Sequence, residues 1–186
     1  MEQQILELET FLPYRLNRLA EAVSREFSKI YRDRFGLTRP EWRTLATLGA
    51  FGTITATAIG QHSSMHKTKV SRAVAELERR KWLTRVADAA DRRVEHLALT
   101  KAGRGAYLEL VPLAKAFERK LTERLMEERK RGLLSGLAAL EEALSLSQQK
   151  PEGTNAVRRL QEWRKTLPRT DIAVEDILAA RDEGRK

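Results

Sequence analysis

Between Phe11 and Phe35 the apolar side chains Leu12, Leu16, Leu19, Val23, Phe27 and Ile30 recur at three- and four-residue steps, with arginines and glutamates between them. That period puts them on one face of a long amphipathic helix. Gly36 ends it, and Thr38 followed by Pro40 opens a second helix through Trp42, Leu45 and Leu48 to Gly49. After the turn Gly49 to Thr53, Ile54 leads into Thr55, an N-cap for a short helix from Ala56 to His62. Ser63 and Ser64 interrupt the pattern before a further helix from about Met65 to Lys81, and this short interval is the one a helix-turn-helix needs.

Two short runs of strand-forming residues follow, Trp82 to Ala87 and Val94 to Leu99, on either side of the polar stretch Asp88 to Arg93. They predict a β-hairpin. Thr100 caps a long helix with apolar positions at Tyr107, Leu110, Val111, Ala114, Phe117, Leu121 and Leu125, and Leu133, Leu134, Leu137, Leu140 and Leu144 mark another. Lys150-Pro151-Glu152-Gly153 has the composition of a linker. Beyond it Thr154 caps a helix carrying Val157, Leu160, Trp163 and Leu167, and a short one after Pro168 carries Ile172, Ile177 and Leu178. Trp163 in an amphipathic pattern favours docking of this tail on the body. No internal repeat or low-complexity tract interrupts the chain.

Charge narrows the chemistry. Of 186 residues 35 are Lys or Arg and 26 are Asp or Glu, a formal net charge of +9 that draws phosphate polyanions or an anionic membrane surface. The absence of cysteine excludes disulfides, thiol redox switches and thiolate zinc sites. The first ten residues carry Glu2, Glu7 and Glu9 and do not read as a signal peptide. No stretch approaches the ~20 apolar residues that span a bilayer, so a cytoplasmic protein with no membrane partner is expected. No glycine-rich phosphate loop follows a strand, no nucleophile, base and orienting acid assemble, and neither an enzyme nor a cofactor is expected.

On the helix after Ser64, Val70, Ala73, Val74 and Leu77 share a narrow sector at 100° per residue, while Thr68, Ser71, Arg72, Ala75 and Arg79 fall opposite. One face is core and the other is free. The free face is small, hydroxylated and basic toward its N-terminal end, which suits entry into a groove ~12 Å wide. Arg72 can bond guanine O6 and N7 together, Thr68 or Ser71 can meet a base edge or a thymine methyl, and Lys67 and Lys69 lie to the sides, where phosphates would stand. The alternative is an ordinary solvated helix face. In the hairpin, Arg92 and Arg93 place two guanidinium groups at the tip, suited to a narrow minor groove, and Asp91 is placed to orient a neighbouring arginine. An arginine pair in a turn is by itself a solvated turn. Here it directly follows a basic helix-turn-helix.

The stretch from Ile54 to Gly103 resembles the MarR/SlyA family of winged-helix regulators. The likeness rests on Ala58-Ile59-Gly60, on His66 to Val74, on Asp91-Arg92-Arg93, and on Leu97-Ala98-Leu99-Thr100-Lys101-Ala102-Gly103, in that order. Helices on either side extend it from about residue 11 to 148. The fold class it implies is mainly α with a small β-hairpin wing, a winged helix-turn-helix with a DNA-binding lobe at about 38–100 and dimerisation helices at about 11–35 and 101–148, leaving 149–186 as a C-terminal helical extension.

The same resemblance implies a homodimer that straddles a pseudo-palindrome on double-stranded DNA, with paired helices in major grooves ~34 Å apart and binding that weakens steeply with salt. It makes Arg93 the candidate for minor-groove insertion and puts Arg92 near the backbone. The leucine stripe from 133 to 144 agrees with a dimer, the alternative being packing within one subunit. Repression is the expected role. Many relatives respond to small aromatic acids or phenolic compounds bound between the dimer helices and the DNA-binding lobe. Tyr14, Arg15, Arg18 and Trp42 would border such a pocket, unless they are simply interface and core residues. His62, His66 and His96 are read as structural or DNA-contacting, and no metal site is expected. A winged-helix scaffold that binds protein and has lost DNA contact is the competing class.

Overall fold

The structure, a computed structural model, describes residues 5–87 and 95–146. The described elements are α1 (Leu12–Phe35), α2 (Arg39–Phe51), β1 (Ile54–Thr55), α3 (Ala56–Ser63), α4 (Lys67–Arg79), β2 (Leu83–Ala87), β3 (Glu95–Leu99), α5 (Lys101–Thr122) and α6 (Glu127–Ala143). The extension at 149–186 lies outside the described residues.

Local chemistry sets most boundaries. Gly36 stops α1 in the left-handed region at φ 61°, where its N–H donates to Arg32 O and that of Leu37 reaches Tyr31 O, a Schellman closure that suits glycine. Leu37 then drops into the core, and the Glu41 carboxylate accepts from the Thr38 N–H at 2.9 Å to start α2. α2 runs on past Gly49 to Phe51, because its last turn packs on the lobe and Gly52 supplies the positive φ that ends it. α5 stops at Thr122, so Leu125 lies in the turn before α6 and not on the helix that the apolar spacing extended to it.

The hairpin register pairs Leu83 with Leu99 and Ala87 with Glu95. It is joined by a strand that the pattern of the chain does not announce, since β1 pairs antiparallel with β3 through Ile54 and Leu97, giving the order β1-β3-β2. Two residues are too few for alternation to register, and their strand geometry exists only because β3 supplies a partner.

The core gathers Leu45 and Leu48 of α2, Ile59 of α3, Val70, Val74 and Leu77 of α4, and Ile54, Leu83 and Leu97 of the sheet, with Tyr31, Leu37 and Leu110 closing one side. At that side Phe27, Tyr31 and Trp42 form an aromatic cluster with centroids 5.1 to 5.8 Å apart, and Phe117 of α5 adds a further ring 5.1 Å from Phe27. Helix α2 and helix α4 are thereby held to one sheet. The N-terminal half of α1 and all of α6 stand apart: Leu12, Leu16 and Leu19 are exposed, and no residue of α6 is buried.

The first turn of α5 lies against the residue before the hairpin. Thr100 N–H donates to Trp82 O at 3.0 Å, and a Cβ built on Gly103 would stand 2.0 Å from the same carbonyl oxygen. Helix propensity alone says that alanine there should stabilise by ~1 kcal/mol. The backbone clash reverses the sign: Gly103→Ala is expected to destabilise by ~1–3 kcal/mol as an overpacking change. Thermal unfolding by circular dichroism decides it, a higher melting temperature in the variant being the contrary result.

Candidate nucleic-acid interface

Thr55 caps α3, its hydroxyl accepting from Ala58 N–H at 3.2 Å. The helix closes at Ser64, which takes the left-handed conformation at φ 52°, and Met65 N–H returns to Gly60 O at 2.9 Å. Met65 is spent on closing α3, so α4 begins two residues after the start its apolar spacing suggests. His66 is the cap: its Nδ1 accepts from Thr68 N–H at 3.4 Å. Arg43 of α2 braces the turn by donating to Ser63 O at 3.0 Å.

Four side chains of α4, Val70, Ala73, Val74 and Leu77, are buried. Lys67, Thr68, Lys69, Ser71 and Arg72 are exposed on the other side, as the helical projection requires. The inner face fixes the outer one in place. Among the described residues none pairs with Lys67, Lys69 or Arg72. Arg79 on the same outer face differs, because Glu76 holds it with bonds of 2.7 and 2.8 Å. The free cations are therefore confined to the N-terminal half of the helix.

Arg79 and then Arg80 hydrogen-bond the Glu76 carboxylate and hold its pKa at about 2 against an ordinary 4.5. The folded value lies below the unfolded one. The pairing's contribution to stability is therefore fully present above the ordinary 4.5 and is lost as the pH falls toward 2. A carboxylate-detected NMR titration should place the Glu76 midpoint far below those of unpaired glutamates, and a midpoint near 4.5 would contradict the pairing.

The base of the hairpin is tied to α4 as well. Arg85 of β2 donates to Glu95 of β3 and, at 3.1 Å, to Glu78 of α4, and these carboxylates hold the guanidinium above its ordinary pKa. The tip residues Asp91, Arg92 and Arg93 lie outside the described residues. Between α3, α4 and the strands runs a groove of about 380 Å³, lined by Thr57, Gln61, Lys67, Ser71, Arg85 and Leu97 among others. Thr57 and Gln61 were not among the residues picked out from the sequence. Lying four apart, they share one exposed face of α3, and the projection used for α4 would have found them.

The four effector candidates do not converge within one subunit. Arg15 and Arg18 line a shallow groove on α1 with Glu9, Leu12, Leu16 and Leu19, and Arg18 both pairs with Glu9 at 3.1 Å and sits over the Tyr14 ring at 5.6 Å. Trp42 packs on Phe27 and Tyr31. Phe27 is 13 residues beyond Tyr14, or ~20 Å along a helix that rises 1.5 Å per residue. Of the histidines, His62 meets the Phe51 ring edge-on at 4.5 Å, on a different helix from the one that His66 caps.

The sequence model of the MarR family matches residues 35–94, from the end of α1 to the hairpin. A MarR family transcriptional regulator from Silicibacter pomeroyi DSS-3 is 32% identical with a TM-score of 0.62, the match covering 73% of this chain and 98% of the other. The chain belongs to the MarR family. Its winged-helix fold is shared by Bordetella bronchiseptica BpsR, whose DNA binding is regulated by 6-hydroxynicotinic acid, at 21% identity and a TM-score of 0.65 over 74% of this chain and 98% of that one. It is shared too by Staphylococcus aureus MepR, seen in complex with DNA, at 24% identity and a TM-score of 0.60 over 69% and 95%. At these two identities the likeness is one of fold. No curated protein matches the sequence. Helix α4 contacts β2 of the hairpin, and among the described residues no helix is long and apolar enough to cross a membrane.

Proposed function

We propose that the chain is a sequence-specific DNA-binding transcriptional regulator of the MarR family that represses from a pseudo-palindromic operator as a cytoplasmic homodimer and is released by a small aromatic acid. The observation that carries this reading is the outer face of α4. Three cations without partners among the described residues and two hydroxyl side chains stand on a helix whose opposite face is locked into the core. Such a surface fits the major groove: Arg72 for a guanine, Thr68 and Ser71 for neighbouring base edges, Lys67 and Lys69 for the phosphates on either side. Arg93 is the candidate for the minor groove and Arg92 for the backbone, with Asp91 to orient a neighbouring arginine. MepR, which shares the fold, is seen in complex with DNA, and that supports the DNA-binding reading.

The homodimer rests on the apolar surface that one subunit leaves open on the N-terminal half of α1 and on α6, which divides the chain into a DNA-binding lobe at 38–100, dimerisation helices at 11–35 and 101–148, and an extension at 149–186. The effector class is supported by the ligand of BpsR and by Arg15 and Arg18 in the α1 groove, beside Tyr14, where a carboxylate finds a guanidinium and an aromatic ring. Trp42 would enter that site only across the dimer.

Selection of bound duplexes from a random library, with affinity for the winner followed against salt, tests the reading. A two-fold symmetric site whose affinity falls linearly in log–log against salt is expected. Failure to enrich any sequence, with binding no tighter than to random competitor in dilute buffer, would leave the protein-binding scaffold as the better account.

A further inference from the structure

The lobe that carries α4 is joined to α1 through Gly36 and Leu37, and one side chain spans that joint. Arg80 follows α4 directly, its side chain only 24% exposed. Its Nη1 donates to Phe35 O at 2.8 Å and its Nη2 to Gly36 O at 2.9 Å, while its Nε donates to Glu76 of α4 at 2.8 Å. Glu41 of α2 stands 3.9 Å from the same guanidinium, and the Trp82 ring lies 5.6 Å beneath it.

The arrangement follows from what the end of α1 lacks. The Schellman closure at Gly36 satisfies Tyr31 O and Arg32 O but leaves Phe35 O and Gly36 O open at the negative end of the helix dipole. A planar fork of donors just past the end of α4 takes both at once, which a lysine ammonium does not reproduce. Among the described residues no other hydrogen bond joins the α1 terminus to α4.

We propose that Arg80 is a positioning residue that sets the angle between α1 and the reading helix, and thereby the spacing of half-sites that the dimer accepts. This rests on the DNA-binding reading above. The lever is favourable: the base-reading residues of α4, from Arg72 to Thr68, lie ~12–18 Å from the joint that Arg80 braces. A pivot of ~10° moves them by ~2–3 Å, most of the ~3.4 Å step between base pairs. Loss of the brace leaves the outer face of α4 chemically unchanged, so the letters of the half-site stay and the distance between them loosens.

The test selects bound sequences from a random duplex library with the wild-type full chain, with Arg80→Lys and with Glu76→Gln, each first shown by circular dichroism to be folded. The wild type is expected to enrich one half-site separation. Arg80→Lys is expected to enrich the same half-site letters with separations one base pair longer and shorter, its preference for the wild-type spacing falling by roughly 2- to 30-fold. Glu76→Gln frees the α4 end of the brace and also releases Arg79 on the outer face, so only its spacing preference is read; that should fall between the two, and it carries the test alone if Arg80→Lys does not fold. Affinity lowered equally at every spacing, with the preference intact, marks a purely structural arginine and overturns the proposal. A wild type that enriches no symmetric site overturns the DNA-binding reading itself, and this inference falls with it.

Discussion

Replacing Arg72 with alanine is expected to weaken binding to the selected operator by roughly 30-fold to 10⁴-fold while leaving the melting temperature unchanged. The range follows from a bidentate arginine–guanine contact worth ~1–3 kcal/mol, made once by each subunit of a dimer. Stability is spared because the side chain is exposed and has no partner among the described residues, so its removal opens no cavity and strands no buried charge. The loss should be specific: affinity for the wild-type site falls while sites altered at the contacted base are bound no worse than before. Lys67→Gln with Lys69→Gln should behave differently. Four phosphate contacts would go from the dimer, making the slope of log affinity against log salt shallower by ~3.6 and weakening all sequences alike. Equal affinity of the Arg72 variant and the wild type for the operator would remove Arg72 from the reading surface and leave the helix face an ordinary solvated one.

The α4 face was legible because a helix projects its residues by a fixed angle, so that burying Val70, Ala73, Val74 and Leu77 obliges Ser71 and Arg72 to face outward. Features that depend on a distant partner were not. Ile54 and Thr55 make a strand only against β3, and Met65 leaves α4 only because Gly60 O takes its N–H. The brace at Arg80 was equally hidden, since Phe35 and Gly36 lie 45 and 44 positions away and nothing in the local pattern distinguishes this arginine from Arg79 beside it. The effector candidates illustrate the converse. Tyr14 and Trp42 are alike in residue type, and only the length of α1 separates them.

The same logic reaches its strongest consequence on α6. Leu133, Leu134 and Leu137 are 43%, 56% and 41% exposed within one subunit. In a monomer a substitution at such positions stays within about 0.5 kcal/mol, whereas in a dimer seam a buried carboxylate meets its own symmetry mate. Leu134→Glu combined with Leu137→Glu is therefore expected to convert the protein to a folded monomer, visible by sedimentation. The lobe should survive, because Leu45, Ile59, Leu77 and Leu97 build its core without any residue of α6. Operator affinity should nonetheless drop by ~10²–10⁴-fold, since each lobe then binds its half-site without the effective concentration that the second one supplies. The salt slope should roughly halve along with it, as half the phosphate contacts remain per binding event. A variant that sediments as a dimer and binds like the wild type would show that α6 is not the seam, and a monomeric wild type would remove the dimer altogether.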